Sequence, residues 1–330
     1  MFIGSCVGTF FAVDRTTGQV RWSYDIGRDG DQSGFHGNPL VIGDEIITGT
    51  DGSGIGFIYA FEIATGKVRW KHPITKGAGS SYGLNGNIVA VGRNVFAATI
   101  GDELISLDAQ TGKLNWSFAS GYSGTAFRNP VSPAASGDRV FFGGINGVVY
   151  ALSVDAGQII WKRELGDRVS TDLVLAGDAL YAGIADGRLF RLSTRTGEIT
   201  AQIKLETTPV GLPLVTADSL LVYLNRGGSP GASQTLVSLD LSLNRIRWQQ
   251  RAATSWSVAA RAFVWRATVL AGSGEGEIRA FRVSDGKEMW ADNVRGTIRS
   301  FGAHEADPVL FVGTLEGIVY AYQPANLGSL

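Results

Sequence analysis

The segment Ser106-Leu107-Asp108-Ala109-Gln110-Thr111-Gly112-Lys113-Leu114-Asn115-Trp116 is one copy of a pattern that the chain repeats from end to end. A small residue is followed two positions on by Asp, then by Thr-Gly, and Trp comes four residues after the Gly. Related copies end at Trp22, Trp70, Trp161, Trp248 and Trp290, and a degenerate copy ends at Ala201. With a last partial copy from Gly317 to Gln323 the units number eight, spaced about 40 to 48 residues apart, a period of propellers and solenoids.

Each unit has the same local grammar. An apolar strand ending in a small residue, Val140-Phe141-Phe142-Gly143, meets the turn Asn146-Gly147 and then Val148-Val149-Tyr150-Ala151-Leu152, which predicts a hairpin. The Thr-Gly pair marks a second turn, since Gly takes positive φ without steric cost. A short strand then runs to the Trp, and a further strand leads into Gly-Asp pairs such as Gly43-Asp44, Gly137-Asp138 and Gly177-Asp178. Four antiparallel strands make one blade, which cannot bury both faces alone. Blades must therefore stack, and the rings of Trp22, Trp70, Trp116, Trp161, Trp248 and Trp290 are placed to seal one against the next. Burying such a ring removes roughly 150 to 250 Å² of surface, about 4 to 6 kcal/mol as an upper figure.

The pattern resembles the tryptophan-docking repeat of the pyrroloquinoline quinone (PQQ) dehydrogenase family and its non-enzymatic, BamB-type members, and the resemblance covers essentially the whole chain. It implies an all-β, eight-bladed β-propeller of four-stranded antiparallel blades, with seven blades as the alternative. The Gly-His and Trp-Asp signature of WD repeats is missing, so that propeller class fits poorly.

Residues 1–330 are expected to form one propeller domain. The formal charge is −1 with acids and bases interspersed, so no global field favours nucleic acid. No apolar run approaches the roughly eighteen residues of a membrane span. Ile3-Gly4-Ser5-Cys6 resembles a lipoprotein cleavage box but has no basic start or hydrophobic region of normal length before it. It also aligns with Gly143-Gly144-Ile145 in a later blade, so Cys6 is expected to be a hairpin residue. The chain opens at the second strand of a blade and ends before a last fourth strand. That predicts a truncated start, with an inner strand and an export signal upstream. Export, to the periplasm or outside the cell, rests on the resemblance.

Departures from the repeat show where the chain carries something extra. The hairpin loop of blade 2 is three residues longer than most, over Thr50 to Phe57, and that of blade 6 seven longer, around Asn225 to Gln234. The connections entering blades 2, 3 and 4 are also extended, and because strand direction alternates, all these insertions emerge on one face. That face gathers Tyr24, Arg28, Phe35, His36 and Asn38 before blade 2, then Tyr82 and Asn85 before blade 3. Before blade 4 come Tyr122, Phe127, Arg128 and Asn129, and Arg168, Asp172, Trp256, Arg261 and Arg299 occupy equivalent entrance positions across the ring. Loops on a rigid scaffold carry binding residues, and Tyr, Trp and Arg are preferred anchors, although Gly-rich loops with occasional aromatics are also ordinary surface covering.

Catalytic chemistry finds little support. PQQ dehydrogenases, by the resemblance, hold the quinone against a Trp with an Asp base and a calcium ion, and the larger types add an adjacent Cys-Cys disulfide. One cysteine excludes that disulfide, and His36, His72 and His304 lack metal-ligand spacing. Asp51, Asp102, Asp186 and Glu316 occupy turn positions, where carboxylates usually cap backbone groups. No Ser-His-Asp constellation, phosphate loop or zinc motif has recognisable spacing, so no catalytic, cofactor-binding or metal-binding residue is assigned. The leading expectation is a monomeric, non-catalytic interaction scaffold, working in outer-membrane protein assembly if BamB-like and binding another protein through the loop-rich face. A small PQQ-dependent dehydrogenase and a sensor or carbohydrate-binding module of a larger protein are the alternatives.

Overall fold

The computed structural model describes residues 1–122, 124, 129, 131–225, 234–251, 262–303 and 309–322. Apart from a single 3-10 turn at Ile26–Asp29, every regular element among them is a β-strand. The blade bearing Trp116 shows the construction: Val89–Val91, Asn94–Ala98, Glu103–Asp108 and Leu114–Ala119 pair antiparallel in that order. The second and third strands are buried almost throughout, as expected of strands covered on both faces, whereas the fourth alternates between exposed and half-buried positions at the sheet's edge.

Two compact units are distinguished, residues 1–173 with 194–197, and residues 174–193 with 198–330. Each carries four successive sheets. Six of the eight sheets contain a full four-stranded blade, and the first and last, Phe2–Gly4 to Val20–Asp25 and Ile298–Ala303 to Val319–Tyr322, have three strands each. The strands of these terminal sheets suffice for one further four-stranded blade and not for two. The expectation of eight blades, with the terminal two incomplete, is thus one too many, and the seven-bladed alternative stands. Eight arises from giving each of the two incomplete terminal copies a blade of its own.

Within each unit the apolar clusters lie between successive sheets. Ile47, Ile58 and Trp70 of one blade pack on Val95, Ala97 and Leu107 of the next. The tryptophans close these interfaces by a repeated contact. Trp22, Trp70, Trp116, Trp161 and Trp248 lie so close to Gly66, Gly112, Gly157, Gly197 and Gly286 that a Cβ there would sit 2.4–2.6 Å from the ring. The same glycines have φ of 64–72°, so the Thr-Gly turn needs glycine both for conformation and for clearance. Each indole N–H donates to a carbonyl of the same turn, at Ile63, Ala109, Val154, Thr194 and Val283, over 2.8–3.0 Å. The Asp of the repeat fixes that turn from inside: Asp108 Oδ1 accepts from the N–H groups of Gln110 and Thr111.

One interface is solved differently. Ala201 stands where Trp is expected, and the facing turn replaces Thr-Gly by Leu243-Asn244, with Leu243 at φ 57° and buried in the cluster that Ala201 lines. The hydroxyl of Tyr181 donates to the carbonyl of Leu241 at 2.5 Å, replacing the missing indole N–H. A side chain from the receiving turn therefore fills the space that a ring from the other blade fills elsewhere.

The fourth strand is bulged immediately before the tryptophan. Ser106 pairs with Trp116 but Leu107 with Leu114, so Asn115 is skipped, and the same shift recurs at Arg21, Arg69, Ile160, Thr200, Arg247 and Met289. A bulge adds local twist and re-aims the next side chain, here the docking residue.

Two stability predictions follow from this geometry. Trp70→Ala should cost about 3–5 kcal/mol in chemical denaturation by leaving a cavity. Gly112→Ala should cost about 1–3 kcal/mol by overpacking the ring, and the double variant should lose clearly less than the sum, because without the ring the added methyl has room. Ala201→Trp should likewise destabilise by about 1–3 kcal/mol, since Leu243 already occupies the space, and adding Leu243→Ala should recover part of the loss. Additive losses in either pair would contradict the packing described.

Candidate interaction face

The three-residue insertion in blade 2 lengthens a strand, Glu45–Gly52, beyond its own hairpin. Pairing with Gly56–Glu62 extends only to Gly49↔Ile58. Past that point the strand is taken up by the two neighbouring connectors. Gln32–Phe35 pairs with it through Gly34↔Asp51 and Phe35↔Thr50, and Ser81–Gly83 through Tyr82↔Gly52 and Gly83↔Asp51. The result is a seven-stranded sheet in which both connectors clasp the tip of blade 2. The close approach requires glycine at Gly52, where a Cβ would lie 2.3 Å from the carbonyl oxygen of Ile55 and 2.4 Å from that of Asp31.

A polar network lies beneath the clasp. Asp29 accepts from the hydroxyls of Tyr24 and Tyr59 at 2.6 and 3.0 Å and from Lys71 Nζ at 2.6 Å. Burial pushes its carboxyl up, but these donors together outweigh burial and hold it below the usual carboxylate range. The Tyr24 hydroxyl is pushed up to about 12, chiefly by burial and then by its bond to Asp29.

On this framework Arg28, His36 and Asn38 are exposed, and Tyr82, Asn85 and Tyr122 are half-buried. The guanidinium of Arg28 lies 4.6 Å from the centre of the Tyr24 ring and donates through Nε to the carbonyl of Asp25. The N–H of Asn38 donates to Asn87 Oδ1. Arg168 is half-buried, and Arg299 is half-buried within the strand Ile298–Ala303. Phe127, Arg128, Trp256, Arg261 and His304 lie outside the described residues.

Three residues expected on the face belong to the interior instead. Phe35 is a core side chain, packed 5.2 Å from the Phe10 ring. Asn129 is buried and bridges Asp102 Oδ1 and the carbonyl of Gly143, while buried Asp172 accepts from the N–H of Ser132. Asp102, at φ 61°, also takes the N–H of Ile145 at 3.1 Å and the hydroxyl of Ser120. Burial drives its carboxyl up against these hydrogen bonds. It ties the blade 3 hairpin to the connector and hairpin of blade 4. Asp186 and Glu316 do cap backbone N–H groups, those of Arg188 and Thr297. His72 is half-buried and its Nδ1 lies 3.1 Å from the carbonyl of Gly112. On the opposite turns a cleft of about 360 Å³ is lined by Asp44, Glu45, Arg69 and Arg93, but both arginines are paired with carboxylates.

Asp51, expected in a turn, lies instead within the strand Glu45–Gly52, because the longer hairpin of blade 2 is taken up in sheet pairing. Asp51 Oδ1 lies 3.0 Å from His36 Nε2, and Cys6 acts on the same imidazole, so three residues distant in sequence are brought near one another. The bond to Asp51 first and the interaction with Cys6 second raise the imidazole from 6.5 to about 9 against the opposing effect of burial. The sequence contained a signal for this grouping. Cys6 and Asp51 occupy equivalent positions in the hairpins of consecutive blades, and His36 lies in the connector between them.

Stacked antiparallel blades, five of them sealed by an indole set on the next blade's turn, define a β-propeller of the PQQ-like repeat class. The chain belongs to the family described as outer membrane protein assembly factor BamB, whose model matches residues 1–117, 54–142 and 124–326. The BamB protein of Yersinia pestis is 21% identical over 227 residues, 62% of this chain and 54% of that protein. The BamB protein of Escherichia coli K12 is 27% identical over 142 residues, 43% of this chain and 34% of that protein. The match thus spans about half the length of the first of these relatives, and less of the second. Among solved structures, BamB from Moraxella catarrhalis superposes with a TM-score of 0.77 at 18% identity, covering 98% of this chain and 93% of that one. The quinohemoprotein alcohol dehydrogenase of Comamonas testosteroni gives 0.75 at 14% identity, covering 94% and 68%. At these identities the superpositions establish the fold.

The raised imidazole sets a pH dependence. A group whose folded value lies above its unfolded one stabilises fully below the unfolded value and ceases to as pH climbs through the folded one. For His36 that window runs from 6.5 to about 9. The wild-type chain should exceed His36→Gln in denaturation midpoint at about pH 6, and the difference should vanish above about pH 9. A gap that widened with rising pH would contradict the assignment.

Proposed function

We propose that this chain is a non-catalytic, monomeric scaffold of the periplasm that docks another protein during outer-membrane protein assembly, through the face built on the blade 2 clasp. Family membership supports the biological setting. The clasp is the observation that carries the choice of surface. Connectors held in sheet register at Asp51 and Gly52 present Arg28, Asn38 and Tyr82 without the ordering cost of a free loop. Neither PQQ nor calcium takes part in this reading. Among the described residues no three His, Cys, Asp or Glu side chains converge as a metal site, and the buried carboxylates of Asp102 and Asp172 are engaged in holding connectors. Among the described residues this supports a reading without a calcium-bound quinone and carboxylate base.

The test is genetic and biochemical together. Deleting the gene in its own bacterium should lower the amount of folded β-barrel proteins in the outer membrane, and the wild-type gene should restore it. The triple variant Arg28→Ala, Asn38→Ala, Tyr82→Ala should fold normally yet restore far less, since losing such anchors weakens docking by roughly tenfold or more. Unchanged barrel levels in the deletion strain would remove the assembly role. Reduction of an artificial electron acceptor by the purified protein, dependent on PQQ and calcium, would replace the scaffold by a dehydrogenase.

A further inference from the structure

Cys6 is the only cysteine of the chain and is exposed. Its place beside His36 is fixed by backbone. The N–H of Phe35 donates to the carbonyl of Ser5 at 3.1 Å, and Gly34 packs so tightly that a Cβ would lie 2.7 Å from both Cα and the carbonyl oxygen of Cys6. Gly34 is in turn paired with Asp51. Cys6, His36 and Asp51 thus come from a hairpin, a connector and a second hairpin that are all hydrogen-bonded together. Among the described residues, Asp51 and Cys6 are the ionisable groups acting on the imidazole. A carboxylate that orients and charges an imidazole beside a thiol is the arrangement that generates a nucleophilic thiolate.

We propose that Cys6 is a reactive thiolate and the site at which this protein takes up a mixed disulfide from an external disulfide. His36 holds the thiol proton, and Asp51 is a positioning residue that keeps the imidazole charged and oriented. In the exchange, Cys6 Sγ attacks one sulfur of R–S–S–R, and the new Cys6–sulfur bond forms as the original sulfur–sulfur bond breaks. The departing R–S⁻ carries off the electron pair and accepts the proton from His36 to become R–SH. Cys6 is oxidised, half of the external disulfide is reduced, and no other oxidant is needed. With no second cysteine in the chain, nothing internal can resolve the adduct. It persists until an external thiol attacks it, so the site records the surrounding thiol–disulfide balance instead of turning over. This holds whether or not the neighbouring face docks a protein.

The test follows adduct formation on the full chain with glutathione disulfide by intact mass, across a pH series. The rate should already be near its plateau by about pH 7, whereas an ordinary thiol becomes reactive only near about pH 8.5. His36→Gln should move the profile up to the ordinary position and slow the reaction at about pH 6.5 by roughly tenfold or more, with Asp51→Asn shifting it the same way by less. Cys6→Ser should form no adduct. Because either neighbour substitution could impair folding, the wild-type chain supplies its own reference. At about pH 6.5 the native protein should react faster than the same protein unfolded in guanidinium, although its thiol is less accessible. A native profile centred near about pH 8.5 and no faster than that of the unfolded chain would overturn the proposal, as would a folded His36→Gln variant with an unchanged profile.

Discussion

An indole ring lying flat on a glycine turn, with its N–H satisfied by a carbonyl of that turn, is the contact on which the rest of this structure depends. It solves two problems together: a broad apolar surface leaves water, and the polar atom that goes with it is not left unpaired. Because ring and turn belong to different sheets, no sheet completes its own burial. Trp70 has its hydrogen-bond acceptor at Ala109, thirty-nine residues away in sequence. Stability is consequently assembled in steps between neighbours, as in other repeat architectures.

The face of the protein depends on that regularity through its interruptions. Where the hairpin of blade 2 is longer, the surplus strand does not project into solvent as an unpaired edge. The connectors on either side cover it, and Asp51 sits in the middle with backbone partners in both, at Gly34 and Gly83. The acids in equivalent turns have been adapted to different local needs. Asp102 gathers a connector, Asp186 and Glu316 cap backbone groups, and Asp51 reaches a histidine.

Much of this was legible in the residues. The Thr-Gly and Trp spacing disclosed the blades, their order and the glycine turns, but not that each such glycine also clears a seat for the ring. The bulge before each tryptophan was not legible. The skipped residues are Arg21, Arg69, Asn115, Ile160, Thr200, Arg247 and Met289, so no single residue type marks the bulge. Blade number was overcounted because the two terminal repeats, each visibly incomplete in sequence, were each given a blade. On the face, Arg28 and His36 were rightly taken as accessible, but Phe35, Asn129 and Asp172 were not, since nothing in a Gly-rich connector tells which side chains turn inward. The meeting of Cys6, His36 and Asp51 required superposing two hairpins that share almost no residue identity.

The exchange at Ala201 and Leu243 has a consequence for how such a chain can grow. At the five interfaces closed by Trp22, Trp70, Trp116, Trp161 and Trp248 one blade offers a ring and the next a glycine seat, so such parts could in principle be duplicated or inserted beside one another. At this one boundary the parts are reversed: the donor side offers a methyl and the receiving turn offers a leucine. A copied blade placed there would bring a ring to a seat already filled, or an empty seat to a methyl. What must match on duplication is therefore the interface and not the blade, and at this junction the repeat cannot be cut and rejoined with a standard part.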